Sequence, residues 1–202
     1  MATPRAELER RLAILAGNAP DAKVVARVLD SPVGLLVAAA VDEGLALLEF
    51  GTERRLASQA AALARHFGPC RVGQHPMIDQ AARQLDEYFA GTRKQFDVPL
   101  VIRGTPFQEL VWQTLLEIPY GASCSYSDVA RKLERTNGQR AVGLANGQNR
   151  LAIIVPCHRV LEQGGGLRGY GGGLERKQFL LDLERRHTDP LAGTPLGGAI
   201  AG

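Results

Sequence analysis

The chain has 202 residues, of which 45% are hydrophobic and 22% charged, with a formal net charge of +3 and a pI of about 8.9. This composition is ordinary for a globular protein with one large or two small domains, and no apolar run is long enough to span a membrane. The N-terminal sequence MATPRAELERR lacks the apolar segment of a signal peptide, so we expect an intracellular protein. The positive charge is small and suits a nucleic-acid partner only where it is clustered.

The first half of the chain has the pattern of a small α+β unit. A helix-prone stretch over 7–15 is followed by short Val/Leu-rich runs at 23–30, 34–43 and 45–50. Turn-forming residues separate these runs, which is typical of strands connected by hairpins. Apolar residues at helical spacing then predict two helices, over 53–66 and 77–89.

The second half of the chain predicts mainly helices after an extended, proline-containing linker. The first helix is predicted over 106–118. A short helix over 127–134, capped by Ser125 or Ser127, is followed by another within 138–149. Two short helices joined by a tight, glycine-containing turn predict a helix-turn-helix.

Cys157 is the strongest candidate for a reactive residue in the sequence. It stands in the motif Pro-Cys-His-Arg, after an apolar run at 151–156 that predicts a buried strand. A thiol is a weak nucleophile until its pKa is lowered, and an adjacent base and cation are what thiolate chemistry needs. For a Cys-His pair taken alone, a buried and inert cysteine at a strand end is the more common case. Cys70 and Cys124 lack this setting, and three scattered cysteines do not make a disulfide scaffold.

Positive charge is concentrated on the predicted helix-turn-helix. Against the single acid Glu134, residues 131–150 carry five basic side chains: Arg131, Lys132, Arg135, Arg140 and Arg150. Phosphate binding requires such clustering, although a solvated helical face has the same pattern. The second helix consists largely of small residues, which allow close approach to a groove wall but read base edges poorly. This favours sequence-independent binding in the minor groove of DNA.

A glycine-rich segment, GGGLRGYGGG, surrounds Tyr170. Such a segment is typical of a flexible linker. Placed shortly after a candidate nucleophile, it could instead wall a pocket and offer backbone N–H groups to a ligand.

Several motifs of the second half occur in the order found in one protein family. They are RGTPFQ, VW, IPYG, SYSD, RAVG, AN, IVPCHRV, GY, GG and a lysine at position 177. With these motifs the chain resembles the O6-alkylguanine-DNA alkyltransferases, also called methylated-DNA–protein-cysteine methyltransferases. The resemblance extends from about Val24 to Glu184, and IVPCHRV is highly specific to the family.

The resemblance implies an α+β fold in two domains. Residues 1–97 would form a small α/β domain with an antiparallel, ribonuclease H-like sheet, and residues 98–187 a mainly helical domain with a winged helix-turn-helix. The Pro/Gly/Ala-rich tail at 188–202 is expected to be disordered. The role of the first domain stays open between packing support and contact with a partner.

The resemblance also implies direct-reversal DNA repair on double-stranded DNA that carries O6-alkylguanine. The damaged base would be flipped out of the stack, and its alkyl group would pass irreversibly to Cys157, so that each molecule acts once. No cofactor is implied. We expect a monomer in the cytoplasm, nucleoid-associated if the source is prokaryotic, with no membrane partner. Activity on O4-alkylthymine, the preferred alkyl size and cooperativity on DNA stay open.

By resemblance, Cys157 is the alkyl acceptor and His158 its general base, acting through a water molecule. Glu184 would orient His158, as in the nucleophile–base–orienter sets of hydrolases. Asn149 would brace the turn that holds Cys157, and Lys177 would help to depress the pKa of the thiol.

The remaining family positions would bind DNA and the flipped base. Arg140 would enter the base stack from the minor groove, and Tyr126 would crowd the phosphate and hydrogen-bond the guanine, although from the residues alone Tyr126 also fits a core aromatic. Tyr170 would form a pocket wall. Val160, Gly171 and Gly172 complete the predicted substrate-binding and DNA-binding set.

Two departures from relatives bear on the pocket and on metal. Gly171 stands where some relatives carry serine, and a small residue at Gly172 leaves the pocket mouth open, so bulky O6-benzyl substrates should fit. Some relatives bind zinc in the first domain. Here the only candidate ligands, His66, Cys70 and His75, fall short of a closed tetrahedral set, so we expect no metal.

Three other functions compete with alkyl transfer. A recognition-only protein would lack the acceptor cysteine that is present here. A thiol hydrolase built on Cys157, His158 and Glu184 would have no use for Arg140 or a helix-turn-helix. A transcription regulator is disfavoured because the second helix reads base edges poorly.

Overall fold

The computed structural model describes residues 4–16, 19, 21–167 and 169–188. The chain divides into two compact units, Met1–Arg103 and Gly104–Gly202. The tail for which disorder was predicted lies outside the described residues from position 189 onward. None of the helices in the described ranges is long and apolar enough to cross a membrane.

The first unit contains a four-stranded sheet and three helices. Its elements are α1 (Pro4–Ala16), β1 (Val24–Leu29), β2 (Leu36–Val41), β3 (Gly44–Phe50), α2 (Glu53–Phe67), β4 (Cys70–Val72) and α3 (Pro76–Phe89). The sheet order is β3-β2-β1-β4. The three predicted strands are confirmed as an antiparallel meander, with Ala26 opposite Ala39 and Ala38 opposite Leu48. The fourth strand was not predicted and joins β1 in parallel, so the sheet is mixed.

Both faces of the sheet are buried. Every residue of β2 is apolar, so the side chains on each of its faces need a buried environment. Val37, Ala39 and Val41 belong to a core cluster with residues of α1 and α2, including Leu8 and Leu56. The alternate residues of β2 point to the opposite face, and α3 packs against β2 and β3. The segment after α3 also joins this unit, because the Leu45 N–H donates to the Pro99 carbonyl at 2.8 Å.

The second unit is mainly helical, as predicted. Its elements are α4 (Pro106–Leu116), β5 (Cys124–Ser125), α5 (Tyr126–Lys132), α6 (Gln139–Gly147), a 3₁₀ turn (Cys157–Arg159), β6 (Val160–Leu161) and α7 (Leu174–Arg186). Thr105 and Gln108 form a capping box at the start of α4. Ser125, not Ser127, caps α5, in a second capping box with Asp128.

Helices α5 and α6 form the predicted helix-turn-helix and pack against each other and against α4. Asn137, in the turn between them, has a φ of 57°, a left-handed conformation that asparagine tolerates. The Trp112 indole N–H of α4 donates to the Ala145 carbonyl of α6 at 2.8 Å, a bond that fixes α6 on α4.

The buried strand predicted at 151–156 is wrong. These residues form turns, and Ile153 is fully buried with a φ of 72°. A left-handed conformation is rare for a β-branched residue and costs free energy. The chain therefore approaches Cys157 through a constrained turn, whose apolar side chains are buried as those of a strand would be.

Candidate functional site

Cys157 begins the 3₁₀ turn and is 5% exposed. Its backbone N–H donates to the Val155 carbonyl at 2.8 Å, which closes a tight turn at Pro156, and the Val155 N–H donates to the Leu151 carbonyl at 2.8 Å across the turn that contains Ile153. The thiol is thus held on a short, hydrogen-bonded segment in the interior of the second unit. A reacting atom on such a segment has little freedom to move away from its partners.

Two asparagines near the C-terminal end of α6 hold Cys157. The Asn149 amide donates to the Cys157 sulfur at 3.1 Å and to the Val155 carbonyl at 2.9 Å, while its oxygen accepts from the Leu151 N–H at 2.9 Å. The Asn146 amide donates to the Cys157 carbonyl at 3.3 Å. Asn149 was predicted to brace the turn. Asn146 was not assigned a role, although it stands in the AN motif that contributes to the family resemblance.

His158 and Glu184 form a fully buried pair. The imidazole Nε2 lies 2.8 Å from the Glu184 Oε1, and both residues have no exposed surface. Burial lowers the pKa of His158, and the adjacent carboxylate only partly opposes this, so the neutral imidazole is favoured. The Nδ1 atom is buried and has no hydrogen-bond partner among the described residues.

The Glu184 carboxylate is hydrogen-bonded by three residues, His158, Arg159 and Gly121. Arg159 donates to both of its oxygens, at 2.9 and 3.0 Å, and the Gly121 backbone N–H donates to Oε2 at 3.0 Å. Burial alone would raise the pKa of Glu184, but its hydrogen bonds and charge interactions with His158 and Arg159 outweigh burial and hold it well below its usual range. Glu184 is therefore a fixed anion. Arg159 and Gly121 are members of this site that the sequence reasoning did not assign.

Tyr126 and Lys177 lie within electrostatic reach of Cys157. Lys177 is fully buried and its ammonium donates to the Val160 carbonyl at 2.7 Å. Burial lowers its pKa, and the charges of Cys157 and Glu162 oppose that effect. Tyr126 is half-buried, and burial raises its pKa, as do the charges of Cys157 and Glu162. The structure thus brings these predicted residues together around the thiol.

Comparison with known proteins identifies the family. Residues 106–186 match the family model described as "6-O-methylguanine DNA methyltransferase, DNA binding domain", and residues 24–102 match its "ribonuclease-like domain". A methylated-DNA–protein-cysteine methyltransferase of Mycolicibacterium paratuberculosis is 46% identical over 165 residues, covering 80% of this chain and 93% of the relative. The chain belongs to the O6-alkylguanine-DNA alkyltransferase family.

Solved structures of alkyltransferases share the fold. A Mycobacterium tuberculosis O6-methylguanine methyltransferase is 42% identical with a TM-score of 0.71, covering 83% of this chain and 96% of that one. A second M. tuberculosis structure, of the protein in complex with DNA, is 41% identical with a TM-score of 0.70, covering 82% of this chain and 96% of that one. The family resemblance and the α+β architecture predicted from the sequence are confirmed.

The α6 surface of this alkyltransferase combines one cation with apolar and small side chains. Arg140 is exposed in the first turn of α6, and Leu144, one turn later on the same face, is 67% exposed. Two other basic residues of the motif have acidic partners, since Arg131 pairs with Asp128 and Lys132 pairs with Glu117, whereas Arg135 is exposed beside the Phe107 ring. The positive charge predicted for the segment as a whole is therefore partly neutralised by acids.

In the glycine-rich segment, the predicted pocket residues Tyr170, Gly171 and Gly172 differ in how deeply they are buried. Tyr170 is half-buried, Gly171 is exposed and Gly172 is buried, with its carbonyl accepting from Arg176 at 2.7 Å. A large side chain at position 172 would therefore disturb packing as well as any pocket mouth.

The three candidate zinc ligands of the first unit lie in different settings. His75 caps α3, accepting from the Met77 N–H at 3.2 Å, and His66 is exposed on α2. Burial raises the pKa of Cys70 to about 11, which disfavours the thiolate that a metal would require. Within the described ranges, no group of three His, Cys, Asp or Glu side chains could hold a metal ion.

Proposed function

We propose that this protein repairs DNA by direct reversal, transferring the alkyl group of O6-alkylguanine in double-stranded DNA to the sulfur of Cys157. The observation that carries the proposal is the buried arrangement of thiol, amide donor, imidazole and carboxylate at Cys157, Asn149, His158 and Glu184. It occurs in a chain of the alkyltransferase family.

The proposed reaction begins with removal of the thiol proton. Neutral His158 accepts it through a water molecule at Nδ1, because Nε2 is engaged by Glu184. The developing thiolate is stabilised by the Asn149 amide and by the positive charge of Lys177. The positions of His158, Asn149 and Lys177 support these roles, because all three residues lie around Cys157 in the second unit.

The alkyl carbon is then displaced from oxygen to sulfur. A Cys157 Sγ–C bond forms as the C–O6 bond breaks, and the electron pair of that bond remains on the guanine. The guanine takes up one proton through the hydrogen bond that Tyr126 donates to the base. The thiol proton accepted by His158 returns through solvent to replace it on Tyr126, so the step gains and loses no net proton. The products are guanine in DNA and a thioether. Because no group at the site cleaves a thioether, each molecule reacts once and no cofactor is consumed.

Access of the damaged base to the buried thiol requires extrusion of the nucleotide from the duplex. We propose that α6 enters the minor groove and that Arg140 occupies the space vacated in the stack. The exposed Leu144 beside it supplies apolar contact to the groove wall. The protein is proposed to act as a monomer, in the cytoplasm.

A titration with labelled DNA tests the proposed function. A fixed amount of protein is mixed with increasing amounts of a duplex that carries one O6-methylguanine, labelled in the methyl group. Label should move from DNA to protein until one methyl is transferred per molecule, and Cys157→Ser should accept none. Continued turnover of excess duplex would indicate a hydrolase, and tight lesion binding without transfer would indicate a recognition protein.

A further inference from the structure

Among the described residues, Arg159 is the one charged side chain seen in direct contact with Glu184 to which the proposed reaction gives no role. We propose that Arg159 is a positioning residue that sets the pH range in which His158 acts as a base. This inference rests on the proposed function, because it concerns how the same site is kept in its reactive protonation state.

The contacts of Arg159 tie together three parts of the site. Its guanidinium donates to both oxygens of Glu184 on α7 and to the Ile118 carbonyl at the end of α4, and it lies 5.8 Å from the centre of the Tyr120 ring. Arg159 is 6% exposed. A planar guanidinium with two parallel bonds to a carboxylate fixes the orientation of that carboxylate. The oxygen that faces His158 is therefore held in place by Arg159.

The same contacts decide how much of the carboxylate charge acts on His158. An isolated buried carboxylate 2.8 Å from an imidazole would favour the imidazolium, which has no proton-accepting nitrogen. Arg159 compensates that charge, so that a neutral His158 leaves the pair Arg159–Glu184 balanced. Protonating His158 would add an unbalanced positive charge to a buried site.

The charged groups that face His158 agree with this account. Glu184 on α7 favours the imidazolium, whereas Arg159 on the 3₁₀ turn and Lys177 on α7 both oppose it. Tyr120, from the loop after α4, is a neutral neighbour of the pair, because burial and the charge of Glu184 raise its pKa. Arg159 is the only one of these cations that is hydrogen-bonded to the carboxylate partner of His158.

The test is the pH dependence of single-turnover methyl transfer from a lesion duplex. Arg159→Met removes the charge, so the acidic limb of the rate profile should move up by about one pH unit or more, a tenfold or greater loss of rate at a pH below that limb. Arg159→Lys keeps the charge and should keep the wild-type limb, even where its maximal rate is lower. Arg185→Met, on the exposed face of α7 next to Glu184, should leave the whole profile unchanged.

A lower plateau for Arg159→Met with an unmoved limb would show a purely structural role and overturn the proposal. Arg159→Gln keeps an N–H donor without the charge and gives the same test where Arg159→Met yields too little folded protein. NMR titration of the His158 imidazole in wild type and Arg159→Gln measures the shift without any DNA. It therefore decides the role of Arg159 even if wild type transfers no methyl group, and equal titration midpoints would refute that role.

Discussion

Replacing Asn149 by alanine should slow methyl transfer by weakening a single hydrogen bond to sulfur. The Asn149 amide lies 3.1 Å from the Cys157 sulfur, and a hydrogen bond to an ionised group contributes about 1.5–3 kcal/mol. At 1.36 kcal/mol per pKa unit, its loss raises the pKa of the Cys157 thiol by about one to two units. The rate at a fixed pH below that pKa should fall about 10- to 150-fold.

The same substitution has a separate effect on stability. The Val155 carbonyl keeps a donor in the Cys157 N–H, but the Leu151 N–H loses its only acceptor among the described residues. A buried unsatisfied N–H costs about 1–3 kcal/mol. Asn149→Asp keeps an acceptor for Leu151 and places a carboxylate beside the sulfur, so it should raise the thiol pKa further than alanine does.

The assay combines the single-turnover rate with the ultraviolet absorbance of the thiolate as a function of pH. Burial raises the pKa of Cys70 to about 11 and that of Cys124 to about 12, and the absorbance difference from Cys157→Ser assigns the Cys157 ionisation. Asn146→Ala is the matched control, because Asn146 contacts the Cys157 carbonyl and not its sulfur. A wild-type thiol pKa and rate in Asn149→Ala would refute the reasoning, as would an aspartate variant that reacts like wild type.

Three further predictions follow from the site. Arg140→Ala should slow repair of the lesion duplex about tenfold or more while leaving the reaction with free O6-benzylguanine unchanged; equal losses on both would contradict a role confined to DNA. Glu184→Gln should lower the free energy of unfolding at pH 7 by about 3–5 kcal/mol, because it leaves Arg159 as a buried charge without its partner. The folded-state pKa of Glu184 is depressed, so the difference in free energy of unfolding between wild type and Glu184→Gln should be complete above the unfolded pKa of about 4.3. It should shrink as the pH falls below that value, and urea unfolding at pH 7 and pH 3 measures both. O6-benzylguanine should inactivate wild type but not Gly172→Trp, with the Tm of the variant recorded because Gly172 is buried; a wild type that ignores the compound contradicts the open pocket.

The helices of the second unit could be predicted from the sequence because their signals are local. Apolar spacing and Pro106 define α4 and a serine cap defines α5 within a few residues, whereas α6 begins after Gly138 with no side-chain cap. The choice between Ser125 and Ser127 as cap was left open, and the reciprocal bonds between Ser125 and Asp128 decide it.

The segment before Cys157 could not be predicted because burial there does not come from strand pairing. Five apolar residues in a row satisfy the pattern of a buried strand, yet the chain turns at Ile153 and is held by Asn149 instead of by a neighbouring strand. Strands β4, β5 and β6 have three residues or fewer and exist only through tertiary pairing. No local pattern marks elements that short.

The residues of the site likewise differ in whether a local sequence pattern identifies them. Cys157 and His158 stand out locally, but Glu184 is 26 residues further along the chain and was assigned only through the family resemblance. Arg159 was visible as a cation beside the thiol, whereas its bonds to Glu184 and to the Ile118 carbonyl depend on how α4 and α7 meet the 3₁₀ turn. Those contacts depend on the tertiary structure, and no local sequence pattern predicts them.

The most direct test of the central claim is the mass of the protein after one exposure to a duplex with a single O6-methylguanine. Wild type should gain one CH₂ unit, and peptide mapping should place the methyl on Cys157. Cys70 and Cys124 serve as internal controls and should remain unmodified. An unchanged mass with the lesion bound, or a methyl on either of the other two cysteines, would contradict self-alkylation at Cys157.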